Sequence, residues 1–547
     1  MTPVTISDLF QQHPIRAVGP ELWLCVFAFA VLLAGAFFSD KLQRGLLPPL
    51  AMGGVIVSLL SIANLWGSGL QFGPTGRAIF VADNFSLFFK FIFLFGLALT
   101  IIISPRFLEA RGGDRHTVVG EYYGLLMLST VGMMIVASAH DLLVVFLGIE
   151  TLSIALYILA GFARTRLMSN EAALKYFLLG AFATGFLLYG IALTYVALGT
   201  THIASIASAI SAGTVKSPSI LFVGVALILI GLAFKAALVP FHQWTPDVYE
   251  GSPTPVTAFM SIGAKAAALA ALIRVLPGAF GGLSPQWHGM VMALAVLTMT
   301  AGNIIALSQN SIKRMLAYSS IAHAGYLLVG VLAAAGLARA GESSGAQNAI
   351  ASVLVYMLAY AVMNGGAFAV LVWMESNARA GRDDNEETGP IAMDALNGLA
   401  ARQPFVAASM TVFLMSLAGI PPTAGFLGKL GVFSSAIDAK LYGLVLIGVL
   451  NSVISVYYYL RPVAAMYVGE DKASAGEVSG VAGAGVSTVN VSAGGAAVLQ
   501  PRSSAISLAL VATIGLCAAI VLAMIVLQRT TLPLAQDAAL SMMQTAR

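Results

Sequence analysis

Charge is in short supply in this chain. Only 10% of its 547 residues are Asp, Glu, Lys or Arg and 59% are hydrophobic, whereas soluble domains carry about a quarter charged residues. A surface exposed to water on every side is thereby excluded. Cysteine is scarcer still: Cys25 and Cys517 both sit in apolar runs, too few and too far apart for a metal cluster or disulfide framework, so no iron–sulfur centre is expected in this chain. The net charge of +4 is scattered over short loops, which leaves no electrostatic footprint for nucleic acid. A dinucleotide fingerprint following a strand is also missing. No basic region precedes the first apolar run, Leu22 to Phe38, and no small-residue cleavage pattern follows it, so this run is expected to stay as a helix.

Long apolar runs are abundant. Crossing about 30 Å of hydrocarbon takes roughly 20 helical residues, and lipid offers no partner to bare backbone groups. Fourteen such runs lie near residues 21–38, 46–64, 79–103, 117–138, 141–162, 171–198, 218–239, 254–277, 287–307, 313–335, 349–375, 405–436, 440–467 and 505–528. They predict an all-α polytopic membrane protein. With the N-terminus outside, fifteen Lys and Arg fall in inside loops and eight outside, so the positive-inside rule predicts both termini to be periplasmic. The loops Glu375 to Arg402, with the acidic run Asp383 to Glu387, and Gly469 to Ser504 then lie on the cytoplasmic side. The second has the composition of a flexible linker.

An ionisable group inside a span costs roughly 2.5–3.5 kcal/mol even on the lenient insertion scale. Each one needs a partner, water or a function. Glu150 closes LLVVFLGIE with no basic neighbour in sequence, so its partner must come from another helix. Lys235, Lys265 and Lys429 lie among small or apolar residues and cannot simply snorkel. Lys175 has Glu171 four residues earlier, which leaves an ordinary helix pair and a proton-path role both open. Lys90, near the start of its run, is read as snorkelling or locally paired. His323 shares a run with Tyr318, Ser319 and Ser320, groups able to hold waters, and imidazole titrates near neutrality. His242 lies beside Trp244, near a helix end.

Helix-breaking sequence coincides with two of these charges. Pro240 follows Lys235, and Gly419, Pro421, Pro422, Gly425 and Gly428 precede Lys429, so the seventh and twelfth helices are expected to be discontinuous. The two breaks are five helices apart, an odd number, so units starting at the fourth and ninth helices enter the membrane in opposite directions. The predicted organisation is helices 1–3 (1–116), a first repeat of helices 4–8 (117–277), a second, inverted repeat of helices 9–13 (287–467), a loop (468–504), and helix 14 with its tail (505–547).

The segments FKAALVPFHQWTPDVYEGSPTPVTAFMSIGAKAAAL, NSIKRMLAYSSIAHAGY and SLAGIPPTAGFLGKLGVF resemble the antiporter-like membrane subunits of bacterial NADH-quinone oxidoreductase (respiratory complex I). WTPDVYEGSPTPV is similar to the subunit N branch rather than L or M. The resemblance runs from about Glu21 to the fourteenth span. It implies a proton-translocating subunit of the bacterial inner membrane, lodged beside subunit M and small membrane subunits. NADH, FMN, iron–sulfur clusters and quinone would belong to other subunits, with no cofactor in this chain. By matching position it assigns proton translocation to Glu150, Lys235, Lys265 and Lys429, and a possible proton path to Lys175, His242, Tyr318 and His323. The alternatives are a subunit of a multi-subunit cation/proton antiporter or membrane-bound hydrogenase, and a non-conducting scaffold held by buried pairs. A quinone-reducing enzyme is weakened by the missing cofactor motif. The inserted Gly469 to Ser504 loop departs from the family pattern.

Overall fold

The computed structural model describes residues 15–74, 77–109, 119–379, 391–469 and 508–545. The acidic run Asp383 to Glu387 and nearly all of the Gly469 to Ser504 loop lie outside these residues. The helices are α1 (Gly19–Phe37), α2 (Asp40–Leu65), α3 (Asn84–Glu109), α4 (Val119–Ser138), α5 (Leu142–Ala160) and α6 (Leu167–Leu198). Next come α7, in two halves (Pro218–Lys235 and Trp244–Gly251), and α8 (Thr254–Ala279), which contains π-helical turns at Met260–Ala264 and Arg274–Ala279. The other long helices are α9 (Ser284–Leu307), α10 (Ile312–Arg339), α11 (Ser343–Arg379), α12 in two halves (Pro404–Ala418 and Ala424–Asp438), α13 (Tyr442–Val468) and α14 (Leu508–Thr545), with short helices at Ile203–Ser211 and Leu399–Arg402 in the connections. Thirteen helices among the described residues are long and apolar enough to cross a membrane. The remaining run of the expected fourteen is divided between the two halves of α12, of which Pro404–Ala418 is apolar but shorter than a full span.

Three boundaries differ from the sequence expectation. The apolar stretch at 79–83 is not helical: Phe80–Ala82 pairs antiparallel with Leu70–Phe72 in a two-stranded hairpin, and α3 starts after it. The first half of α7 stops at Lys235 rather than at 239, because Pro240 cannot donate to a continuing helix. The expected tail after 528 is helix, so α14 has 38 residues and a length of about 57 Å. Hydropathy marks only the lipid-crossing part of such a helix, not its polar end.

The ends of the helices meet as strict alternation requires. On one face the end of α14 reaches the start of α3, where Asn84 donates to Asp537 at 2.5 Å, and the start of α11, where Gln347 donates to the Gln536 carbonyl at 2.9 Å. On the opposite face the starts of α6, α8 and α10 gather around the second half of α7. In the middle, α8 is buried along its whole apolar stretch and α10 and α11 nearly so. Outer helices present Phe29, Phe182, Leu446 and Leu516 to their surroundings. Small residues let backbones approach closely: a Cβ placed on Gly132 of α4 would lie 2.5 Å from the Leu152 nitrogen of α5.

Candidate functional site: a buried line of lysines, hydroxyls and an imidazole

At the first break the chain passes through Ala237 at φ 59°, a left-handed conformation that a residue with a Cβ adopts at some cost. The Phe234 carbonyl accepts from both the Trp244 indole and the Ala237 amide at 3.0 Å, and Thr298 of α9 accepts from the Val239 amide at 3.0 Å. Lys235, the last residue before the break, is buried. Its Nζ donates to the Tyr176 hydroxyl at 3.4 Å and lies 5.1 and 5.6 Å from the ring centres of Tyr176 and Tyr157, a distance at which ring faces attract a cation. Glu150 is within electrostatic reach of Lys235 and Tyr157. Its Oε1 is buried without a hydrogen-bond partner, and the ion pairs found among the described residues do not join it to Lys235.

Lys265 follows directly on the first π turn of α8 and is buried. Its Nζ donates to both the carbonyl and the hydroxyl of Ser320 on α10 and lies 5.6 Å from the Tyr360 ring centre. One residue away, Ser319 shares a hydrogen bond with the Tyr459 hydroxyl of α13. His323 is bonded on both sides, by the Tyr356 hydroxyl at Nδ1 (2.7 Å) and the Tyr459 hydroxyl at Nε2 (3.2 Å). Beyond it, Tyr458 donates to the Asn303 side-chain oxygen at 3.0 Å, and the Asn303 amide donates to Tyr326 at 3.1 Å. The Tyr326 ring centre lies 4.9 Å from Lys429 Nζ.

Lys429 sits one turn into the second half of α12. The break begins at Gly419, φ 83°, and frees the Ala418 carbonyl, to which Lys429 Nζ donates at 2.9 Å; it also donates to Ser452 of α13 at 3.0 Å. The structure therefore brings Lys265, His323 and Lys429 onto one buried polar line, and sets Lys235 at the α7 break among Tyr157 and Tyr176 with Glu150 in electrostatic reach. Hydroxyls and imidazoles so arranged can pass protons along hydrogen bonds.

The other expected residues lie off this line. Lys175 pairs with Glu171, as its spacing allows, and equally with Asp247 of α7, both at 2.7 Å. His242 lies in the α7 break, half-buried, its ring 6.5 Å from that of Tyr318 on α10. Lys90 does not snorkel. It is fully buried and pairs with Glu21 of α1 at 2.8 Å.

Sequence reading missed several contributors. Asp247 is one: it lies beyond the apolar run, in WTPDVYEG, and is about one-third exposed, so the cost of burying a charge did not single it out. Tyr176, Tyr459 and Asn303 carry no charge and gave no signal. A buried pair at the opposite face was missed too: Arg274, counted as an outside residue, is buried at the end of α8 and donates to Asp83 at 2.5 Å and to the Ala137 carbonyl at 2.6 Å. Burial alone would raise the Asp83 carboxyl, but Arg274 and hydrogen bonds from Ser86 outweigh it and hold the carboxyl below its usual range. In the turn between α4 and α5, His140 is pushed down to about 4 by burial, then by Arg274 and His202, against an upward pull from Asp83.

Residues 139–455 match the family described as NADH:quinone oxidoreductase/Mrp antiporter, TM. NADH-quinone oxidoreductase subunit N of Trichlorobacter lovleyi is 46% identical over 464 residues, covering 85% of this chain and 90% of that one. The chain belongs to the subunit N family of NADH-quinone oxidoreductases. A second member of that family, subunit N 1 of Herpetosiphon aurantiacus, is 43% identical over 84% of this chain and 88% of its own. Among solved structures, a chain of respiratory complex I from Thermus thermophilus superposes with a TM-score of 0.72 at 31% identity, covering 94% of this chain and 99% of that one. A chain of the Mrp complex from Dietzia sp. has a TM-score of 0.77 at 22% identity over 96% and 97% of the two chains, a likeness of fold.

Proposed function

We propose that this chain is a proton-translocating membrane-arm subunit of an NADH:quinone oxidoreductase, coupling electron transfer in other subunits to proton movement along its buried axis. The observation that carries the reading is three buried lysines, two of them at helix breaks, each bonded to a hydroxyl, with a run of hydroxyl, amide and imidazole groups between Lys265 and Lys429. A buried charge without a counter-charge is costly to keep, and among the described residues Lys265 and Lys429 have only neutral oxygen acceptors as hydrogen-bond partners.

In this reading Glu150 and Lys235 form the switch at the α5 end. A carboxylate moving toward an ammonium favours its protonated form, and withdrawal favours loss of the proton. Lys235 passes its proton through hydrated side chains and Lys265 toward Lys429. Lys175, His242 and Tyr318 stand where water enters from the face of the second half of α7. Helices α4–α8 and α9–α13 are two inverted repeats, each with one break. NADH, FMN, iron–sulfur clusters and quinone are handled by other subunits, and the neighbours in the membrane arm are subunit M and small membrane subunits. The protein resides in a bacterial inner membrane with both termini periplasmic.

The test is Lys235→Ala in assembled complex, with assembly confirmed independently and proton pumping and NADH-quinone reductase activity measured side by side. Both fall if Lys235 belongs to a coupled path. Normal values for both would make the buried charges structural.

A further inference from the structure

The second half of α7 is only eight residues long, yet it touches both halves of the molecule. Asp247, on this helix, uses its two carboxylate oxygens for different cations: Oδ2 takes Lys175 of α6 at 2.7 Å and Oδ1 takes Arg314 of α10 at 2.8 Å. Glu250, one turn on, accepts from Ser311 at 2.6 Å, and Lys313 donates to the Ser252 carbonyl at 2.9 Å. Trp244, three residues before Asp247 and so on a neighbouring part of the same helix surface, donates to the Phe234 carbonyl beside Lys235. It also stacks on Tyr176, 4.5 Å away at 10°. Arg314 lies six residues before Ser320, which holds Lys265.

We propose that Asp247 is a positioning residue that aligns the surroundings of Lys235 with those of Lys265 by holding Lys175 and Arg314 at once. This inference rests on the proton-path reading above. The two cations are not equivalent. Lys175 keeps Glu171 if Asp247 lets go, whereas Asp247 is the carboxylate that Arg314 pairs with among the described residues. The Arg314 contact is therefore the one that fixes α10, and Lys175 acts as a standing charge that orients the carboxylate. All three side chains are roughly one-third to two-fifths exposed, so the cluster works by geometry rather than by a deeply buried charge.

The experiment is a double-variant cycle in assembled complex, reading NADH-quinone reductase turnover and its pH profile at equal complex content. Asp247→Asn and Arg314→Gln each lower turnover by about tenfold and displace the pH profile, with KM for NADH unchanged. The double variant is no slower than the slower single one, as expected of residues acting as one unit. Asp247→Glu recovers at least half of the turnover. If Asp247→Asn prevents assembly, Arg314→Gln and Arg314→Lys carry the test, because both leave Asp247 and Lys175 in place. Additive losses or an unmoved pH profile would overturn the proposal. Lys235→Ala separates the two ideas. If it abolishes turnover while the cycle is additive, only the role of Asp247 falls; if it leaves turnover normal, the proton path falls with it.

Discussion

The breaks in α7 and α12 pair a lysine with an interrupted helix, but they hold it differently. In α12 the carbonyl released by the break, that of Ala418, accepts directly from Lys429, and Ser452 adds a second bond. In α7 the carbonyl beside the lysine, that of Phe234, is taken by the Trp244 indole and the Ala237 amide. Lys235 is left with one long bond to a hydroxyl, two ring faces, and a carboxylate that it does not touch. Backbone carbonyls are fixed acceptors, while ring faces and a distant carboxylate hold a cation loosely. The lesson is that a helix break can anchor a charge or free it, depending on what occupies the released carbonyl.

Several substitutions would break or sharpen this contrast. The largest effect is expected at Gly425, where a Cβ would fall 1.8 Å from the Ser416 carbonyl oxygen. Gly425→Val should force the halves of α12 apart at a cost of about 3 kcal/mol, seen as loss of assembled complex or a lower melting temperature. Next, Trp244→Phe removes one of the two donors to the Phe234 carbonyl and brings the α7 break closer to that of α12, where the lysine itself bonds the carbonyl. The carbonyl keeps its bond from the Ala237 amide and loses one worth about 0.5–1.5 kcal/mol, so Lys235 is expected to be drawn toward it and turnover to fall several-fold; unchanged turnover would dissolve the contrast. Smaller still, Ser452→Ala removes a charge-assisted bond at 3.0 Å and should slow pumping more than Tyr176→Phe, which removes one at 3.4 Å.

The smallest effect concerns pH. His140, held at about 4 in the fold, binds a proton near 6.5 when unfolded. The unfolded chain therefore takes up more protons between these values, and stability falls as pH drops from 6.5 toward 4. His140→Gln should flatten the melting temperature measured across that window. A curve as steep as that of the parent would assign the acid sensitivity to other groups.

The breaks and the interior lysines were legible because proline, glycine and charge are rare within apolar runs and stand out singly. What these groups touch was not legible. The partnership of Lys175 with Asp247 spans 72 positions and that of Lys265 with Ser320 spans 55, and no periodicity links such distant residues. Arg314 was counted only as a loop cation, since its role depends on where the short half of α7 turns back. Tyr176, Tyr459 and Asn303 are neutral and blend into a run of apolar neighbours. The hairpin at Phe80–Ala82 was hidden for a related reason, because an apolar segment joined to a helix reads as more of the same helix.

The π turn at Met260–Ala264 has a consequence for the phase of everything after it. A π turn accommodates one residue more than an α turn, and one residue corresponds to about 100° of rotation around the helix axis. Deleting a single residue from this turn while α8 stays anchored at Thr254 would swing Lys265 away from Ser320 by about that angle, with no change to any charged residue in the chain. A shortened α8 would thus keep the full inventory of ionisable groups and lose their alignment, which makes its length as informative in comparing sequences as the presence of the lysine itself.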